Sequence, residues 1–216
     1  MIHASPEFFT ILVVCTGNIC RSPLAQELLR AQLEECGIKA EVHSAGSFAM
    51  VGQGMTIEAL DVSQGHGGQG KDHVATQLTQ QAIVSADLVL TATREHRSAV
   101  AALYPRASRY TYTIKQFARL LPGALESLPA LGNVISPKSR VELVETLHSD
   151  QAASLRALVS EVAATRGFSP APASPTEDDI EDPYRLSIAV YERVGDQIHS
   201  AVMRIVEAFA KATRNA

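Results

Sequence analysis

No part of the 216-residue chain constrains the fold more than the stretch "FFTILVVCTGNICRSPLAQELL" near its start. The run Phe8 to Cys15 is apolar and rich in β-branched residues, with no alternation of polar side chains, so it calls for a central parallel strand buried on both faces. Five residues then separate Cys15 from Arg21, and a helix follows at once. Ser22 can cap that helix and Pro23 fits its first turn, where a missing amide proton costs nothing. Leu24, Leu28, Ala31 and Leu33 give the helix an apolar side to about Cys36, and Gly37 is placed to end it. A strand, a tight loop and a helix in this order put the loop beyond the carboxyl end of a parallel strand, where open α/β sheets bind their ligands.

The same alternation continues downstream. Lys39 to Ser44 reads as a second strand, Ala86 to Thr91 as a third, and Arg109 to Ile114 as a fourth followed by a helix through Leu121. The pattern predicts a doubly wound α/β sandwich. The glycine-dense "QGHGGQGK" from Gln64 to Lys71 follows a helical stretch and lacks the Lys-Ser/Thr ending of a phosphate loop, so it reads as a flexible turn. No internal repeat is present. Leu121 to Asp179 departs from the pattern: a helical periodicity over Ser139 to Ala164 precedes the Pro-rich "SPAPASPTEDD", expected to be an extended or mobile linker. The last helix, Ser187 to Ala212, carries Ile188, Tyr191, Val194, Ile198, Val202, Ile205 and Phe209 at helical spacing and should pack on the sheet. The expectation is one domain over 1–216 with a helical and Pro-rich insertion at 122–179.

Composition narrows the function. With 46% hydrophobic residues the chain can bury a core without disulfides or structural metals. Nineteen Lys and Arg against 23 Asp and Glu give a formal charge of -4, which provides no general field for nucleic acid or an anionic membrane. Three cysteines, an odd number, fit a reducing compartment. "MIHASPEFFTILVVC" has neither a basic leader nor a long apolar span, so the expected location is cytoplasmic, without membrane insertion. No metal or cofactor is implied.

The loop "CTGNICRS" carries chemistry. Its successive backbone N–H groups, over Thr16, Gly17, Asn18, Ile19, Cys20 and Arg21, can turn inward as an anion nest while the following helix points its positive end at the same place. Arg21 adds a permanently charged planar fork that can hold two phosphate oxygens. The same field favours the thiolate of Cys15 over its free pKa of roughly 8.5, making it a nucleophile at neutral pH. Ser22 can hydrogen-bond that sulfur, Gly17 permits unusual backbone geometry, and Asn18 can brace the loop. Attack on phosphorus also needs a proton donor for the leaving oxygen. Asp182, in "DDIEDPYR" and fixed by Pro183 just before the last helix, is the candidate; on its own an Asp-Pro pair there would be read as a helix N-cap.

Together, "VVCTGNICRSPLAQELL" and "IEDPY", in that order, resemble the low-molecular-weight protein tyrosine phosphatase family, as do "HSAGS", "DHVATQLT" and "ADLVLTATREHR" between them. The resemblance spans about residues 9–120 and 177–212. It implies a three-layer α/β sandwich around a central four-stranded parallel sheet, flavodoxin/Rossmann-like, with the helical insert before the general-acid loop. It implies Cys15 as nucleophile, Arg21 as phosphoryl ligand, Asp182 as general acid and then base, and Asn18, Ser22, Ser44 and His73 as a supporting hydrogen-bond network. The substrate would be a tyrosine-phosphorylated protein. Cys20 matches a neighbouring cysteine that in some members pairs reversibly with the nucleophile; otherwise it is a small buried hydrophobe. Tyr184 is the clearer candidate for the substrate wall and Phe48 a second one, because "AGSFAMVG" is a residue shorter than the usual segment. Arg185 stands where some members have a second Tyr, and Thr76 where an Arg is common. The insert could form a lid or be a passive elaboration.

Three other functions share parts of this pattern. Arsenate reduction would relay thiol chemistry through further cysteines, but Cys36 lies at the far end of the first helix, roughly 20 Å or more from the loop. Protein-arginine phosphatases resemble this loop but carry Thr where this chain has Ile19. A noncatalytic phosphate-binding module would not need Cys15, Arg21 and Asp182 together.

Overall fold

In the computed structural model, which describes residues 8–131 and 151–214, the apolar run becomes the middle of the sheet. β1 (Phe9–Cys15) pairs in parallel with β2 (Ala40–Gly46) on one side and β3 (Leu88–Thr91) on the other, and β4 (Thr111–Thr113) joins β3, giving the order β2-β1-β3-β4. Alternate residues of β1 enter different cores. Phe9, Ile11 and Val13 face the larger one, with α1 (Arg21–Glu35), α5 (Ile114–Leu131) and the last helix. Leu12 and Val14 face the smaller one, with Ile83 of α3 (Gln80–Val84) and Val100 of α4 (Arg94–Leu103). The expected three layers follow directly, because a strand buried on both faces needs helices on both. α2 (Ile57–Gly65) adds Ala59 and Val62 to the larger core.

The departures from expectation have physical causes. α5 does not stop at Leu121 but continues through Pro122 to Leu131. Ala118, Leu120, Leu121 and Ala124 are buried in the larger core, and that packing outweighs the roughly 3 kcal/mol that an interior proline costs a helix. The first part of the expected insert helix, residues 139–150, lies outside the described residues. The rest forms α6 (Gln151–Thr165), and Leu155, Leu158 and Val162 are fully buried.

α6 crosses the amino ends of the strands. Gln151 accepts from Lys39 N (3.0 Å) ahead of β2 and donates to Gly37 O. Arg156 pairs with Asp87 (2.8 Å) ahead of β3 and donates to Phe8 O ahead of β1. Just past the helix, Arg166 donates to Thr111 O in β4 (2.8 Å) and lies over the Tyr112 ring. Fifteen residues of helix span about 22 Å, enough to traverse a four-stranded sheet about 14 Å wide. α6 therefore closes the end of the sheet opposite Cys15.

The Pro-rich segment that leads back to the other end is extended only in part, since residues 173–178 bend and turn, with Glu177 N donating to Ser174 O and Asp179 N to Thr176 O, and it is anchored. Arg119 donates to Pro170 O and makes two hydrogen bonds to the buried Asp178 carboxylate, and Thr113 donates to Asp178 O (2.7 Å). α7 (Ile188–Arg214) buries Tyr191, Val194, Ile198, Val202, Ile205 and Phe209. Ile188, in the first turn of α7, is half exposed.

Candidate active site

Helix α1 begins at Arg21, with Cys20 as its cap residue and no side-chain capping bond. Ser22 is thus inside the helix, and the expected capping role is replaced by another. Its hydroxyl lies 2.9 Å from Cys15 Sγ and accepts from Asn18 Nδ2 at 2.9 Å. With that lone pair occupied, the hydroxyl proton can point at the sulfur or at Ala45 O, the longer contact at 3.5 Å. Cys15 is buried at the end of β1, facing the first turn of α1.

Asn18 holds the loop in shape. Its φ of 57° is a left-handed conformation that asparagine tolerates better than most residues. Its amide donates to Ser22 and to Ser44 Oγ (2.8 Å), its side-chain carbonyl accepts from Thr76 N (2.8 Å), and its backbone carbonyl accepts from His73 Nε2 (2.7 Å). A carbonyl can only accept, so the His73 proton sits on Nε2. Burial lowers the His73 pKa. The sequence-derived supporting residues Ser22, Ser44 and His73 all meet at Asn18. Thr76, noted in the sequence only as a departure, is a fourth: besides its amide, its hydroxyl donates to Ser44 O.

Arg21 is 4% exposed and threads between the loop and the acidic segment. Nη1 donates to Ile180 O, and Nη2 donates to Thr16 Oγ1 and to Asp182 Oδ2, the last at 2.6 Å. Its Nε is buried and has no hydrogen-bond partner among the described residues. An orphaned donor on a buried cation is costly, and here it belongs to the group best suited to an anion. Asp182 also accepts from Tyr184 N, so its carboxylate closes a local turn around Pro183 instead of capping the last helix. Ile180 N donates to Ala92 O, which ties this segment to the end of β3.

These groups share a cavity of about 150 Å³. Cys15, Arg21 and Asp182 supply its polar chemistry, and Ile19, Phe48, Met50 and Tyr184 its apolar wall. Both wall candidates from the sequence are present; Met50 is an addition that no local pattern signalled. Cys20 also borders the cavity, 4% exposed, its sulfur 3.7 Å from both Thr56 Oγ1 and Tyr191 Oη. Burial pushes its thiol up to about 11, which keeps it protonated and poorly nucleophilic. All three cysteines are free.

His96 is a further residue at the site that the loop motif does not signal. Its ring lies 2.8 Å from Thr93 Oγ1 through Nδ1 and 2.9 Å from Thr16 Oγ1 through Nε2, joining the start of α4 to the catalytic loop. A Thr followed three residues later by a polar side chain before a helix is the pattern of a capping box, with histidine here in the place of Glu or Gln. In the glycine-dense turn the Gly70 N–H is taken by the Glu27 carboxylate at 3.0 Å, so that donor is not available to an anion. Among the described residues no cluster of His, Cys, Asp and Glu is arranged to hold a metal, and no helix is long and apolar enough to cross a membrane.

A thiol, a buried guanidinium and a carboxyl converging at the carboxyl end of a parallel strand define a cysteine-dependent phosphoric monoester hydrolase. The chain belongs to the low molecular weight phosphotyrosine protein phosphatase family, whose model matches residues 10–131. It is 39% identical over 114 residues to the low molecular weight protein-tyrosine-phosphatase Etp of Escherichia coli, covering 53% of this chain and 74% of that one. It is 36% identical over 108 residues to a protein-arginine-phosphatase of Bacillus subtilis, covering 50% and 71%. The crystal structure of the Erwinia amylovora tyrosine phosphatase AmsI superposes with a TM-score of 0.61 at 26% identity, covering 93% of each chain.

Proposed function

We propose that the protein hydrolyses phosphotyrosine in protein substrates through a phosphocysteine intermediate, and that Cys15, Arg21 and Asp182 carry the reaction. The observation that bears most weight is the one cavity that holds the Cys15 sulfur beside a hydroxyl donor, the buried Arg21 fork with its free Nε, and Asp182. The Cys15 thiolate attacks phosphorus; the S–P bond forms as the bond to the tyrosine oxygen breaks, and protonated Asp182 gives its proton to that oxygen. Asp182, now a carboxylate, takes a proton from water as the water oxygen attacks phosphorus. The S–P bond breaks, phosphate leaves and the thiolate is restored. Arg21 and the loop N–H groups hold the equatorial oxygens throughout. The 2.6 Å Arg21–Asp182 contact opens when phosphate takes the guanidinium.

Ile19, Phe48, Met50 and Tyr184 give the cavity an apolar wall suited to an aromatic ring. Arginine phosphatases among the relatives make phosphoarginine the second candidate. The bulk of Ile19 in the apolar wall favours the aryl ester. We place the protein in the cytoplasm and treat 1–216 as one domain, with 122–179 as its insertion; the shared core of α6 with α5 and β1 supports that division.

The test is steady-state kinetics on phosphotyrosine, phosphoarginine and phosphoserine peptides. Cys15→Ser should abolish turnover, and Asp182→Asn should lower kcat by about 10²- to 10⁴-fold. Normal turnover by Cys15→Ser would overturn the mechanism, and a preference for phosphoarginine the substrate assignment.

A further inference from the structure

The contacts of His96 carry a consequence for the proton of the Thr16 hydroxyl. The imidazole is 6% exposed, and burial together with the neighbouring Arg21 charge pushes its pKa down to about 4, so it is neutral and has one N–H and one lone pair to distribute. Thr93 Oγ1 caps α4 by accepting from the His96 backbone N–H. Its single hydroxyl proton needs an acceptor, and the ring Nδ1, 2.8 Å away, provides one. The ring proton then sits on Nε2 and points to Thr16 Oγ1 at 2.9 Å. Thr16 Oγ1 already accepts from Arg21 Nη2 at 3.3 Å. With two donors directed at it, that oxygen cannot turn its own proton toward either, and Thr16 lines the space that holds Cys15, Arg21 and Asp182, where an oxygen of a bound phosphoryl group would be the acceptor. The other neutral tautomer reverses this: Thr16 would donate to Nε2 and present no proton to the cavity.

We propose that His96 is a positioning residue for the phosphate loop: held by Thr93 as the Nε2–H tautomer, it turns the Thr16 hydroxyl into an additional hydrogen-bond donor to the bound phosphoryl group. This rests on the phosphatase reading, but it concerns a side-chain donor supplied by α4, separate from the loop amides and Arg21.

Two measurements test it, and neither needs turnover. Long-range ¹H–¹⁵N correlation spectra of the intact protein report the His96 tautomer directly: a protonated Nε2 with an accepting Nδ1 is expected, and a protonated Nδ1 overturns the proposal. Titration with orthovanadate reads the donor. Thr16→Val should bind it about 10- to 100-fold more weakly, the loss expected for a hydrogen bond to a charged group, while Thr16→Ser stays within about threefold. His96→Gln, whose amide nitrogen reaches the place of Nε2, should stay close to wild type. His96→Asn reaches only the place of Nδ1 and should lose about tenfold, with no further loss when combined with Thr16→Val. Equal effects of the Gln and Asn variants, or unchanged vanadate binding by Thr16→Val, overturn it. Tight vanadate binding with the expected tautomer but no phosphatase activity would count against the proposed function and leave this inference standing.

Discussion

Replacing Arg119 by Ala should weaken the fold and the reaction together, because this side chain anchors the segment that delivers Asp182. Its guanidinium donates to both oxygens of Asp178 at 3.2 and 2.7 Å, and to Pro170 O at 2.9 Å. The Asp178 side chain is only 7% exposed, so Arg119→Ala leaves a carboxylate buried without its partner. Breaking a fully buried pair costs about 3–5 kcal/mol. Arg119 is itself 29% exposed, so water can enter behind it and the cost falls to about 2–3 kcal/mol. For a chain of this size that is a drop in Tm of about 5–10 °C. Asp182 lies four residues beyond Asp178, tied down between them by Ile180 N to Ala92 O. A shift of the carboxyl of even about 1 Å lowers the rate tenfold or more. Thermal unfolding followed by circular dichroism and kcat on a phosphotyrosine peptide measure the two effects. Adding Asp178→Asn removes the stranded charge and should return about half of the lost stability. A loss under about 0.5 kcal/mol, or a wild-type kcat despite the lower Tm, would refute the claim that this pair positions the general acid.

Two further outcomes follow from the buried groups. The folded-state pKa of His96, about 4, is below its unfolded value of about 6.5, so the native state binds fewer protons than the unfolded chain between these pH values. Its contribution is complete above pH 6.5 and is lost on acidification toward pH 4, by about 3 kcal/mol. His73 and His199, both lowered by burial, act in the same direction. Urea unfolding at pH 7, 5.5 and 4.5 should show this loss, and His96→Gln should show a shallower one; an identical slope in the variant would exclude His96 as the source. Leu158 in α6 is fully buried, so Leu158→Ala should cost about 2–5 kcal/mol in urea unfolding while kcat of the folded fraction is unchanged. A cost under about 1 kcal/mol would mean that the insert helix is not part of the main core.

The fold was legible where local pattern and burial coincide. An unbroken apolar run can satisfy itself only in the middle of a sheet, and β1 is there. The catalytic loop was legible because Cys15, Asn18, Arg21 and Ser22 lie within eight residues, so their chemistry is constrained by one turn of chain. What the sequence did not show depends on contacts made across long separations. Pro122-Gly123 is a helix stop by any local rule, yet α5 passes through it because the residues on either side are buried against other helices. Ser22 had the right identity for a cap, but the cap position belongs to Cys20 and its hydroxyl is spent on Cys15 and Asn18. His96 is 80 residues from Thr16, and only the meeting of the ends of β1 and β3 brings them together.

The two ends of the sheet divide the work. At the carboxyl end the loop carries costs that stability alone would not favour: a left-handed Asn18 and a carboxylate held on an exposed turn beside the buried Arg21. Each of these is the kind of compromise that accompanies a binding or catalytic site. At the amino end α6 and the residue just past it add apolar burial, hydrogen bonds and an ion pair at the starts of the strands, through Gln151, Arg156 and Arg166 in turn. Because α6 packs at the end of the sheet opposite Cys15, it can add stability without restricting the loop. The chain then returns along α5 and β4 to present Asp182, so the segment after α6 couples the stabilised end to the reactive one. That coupling runs through Arg119 and Asp178, and it is why a substitution on α5, away from the phosphate pocket, should be read out in the rate of proton transfer to the leaving group.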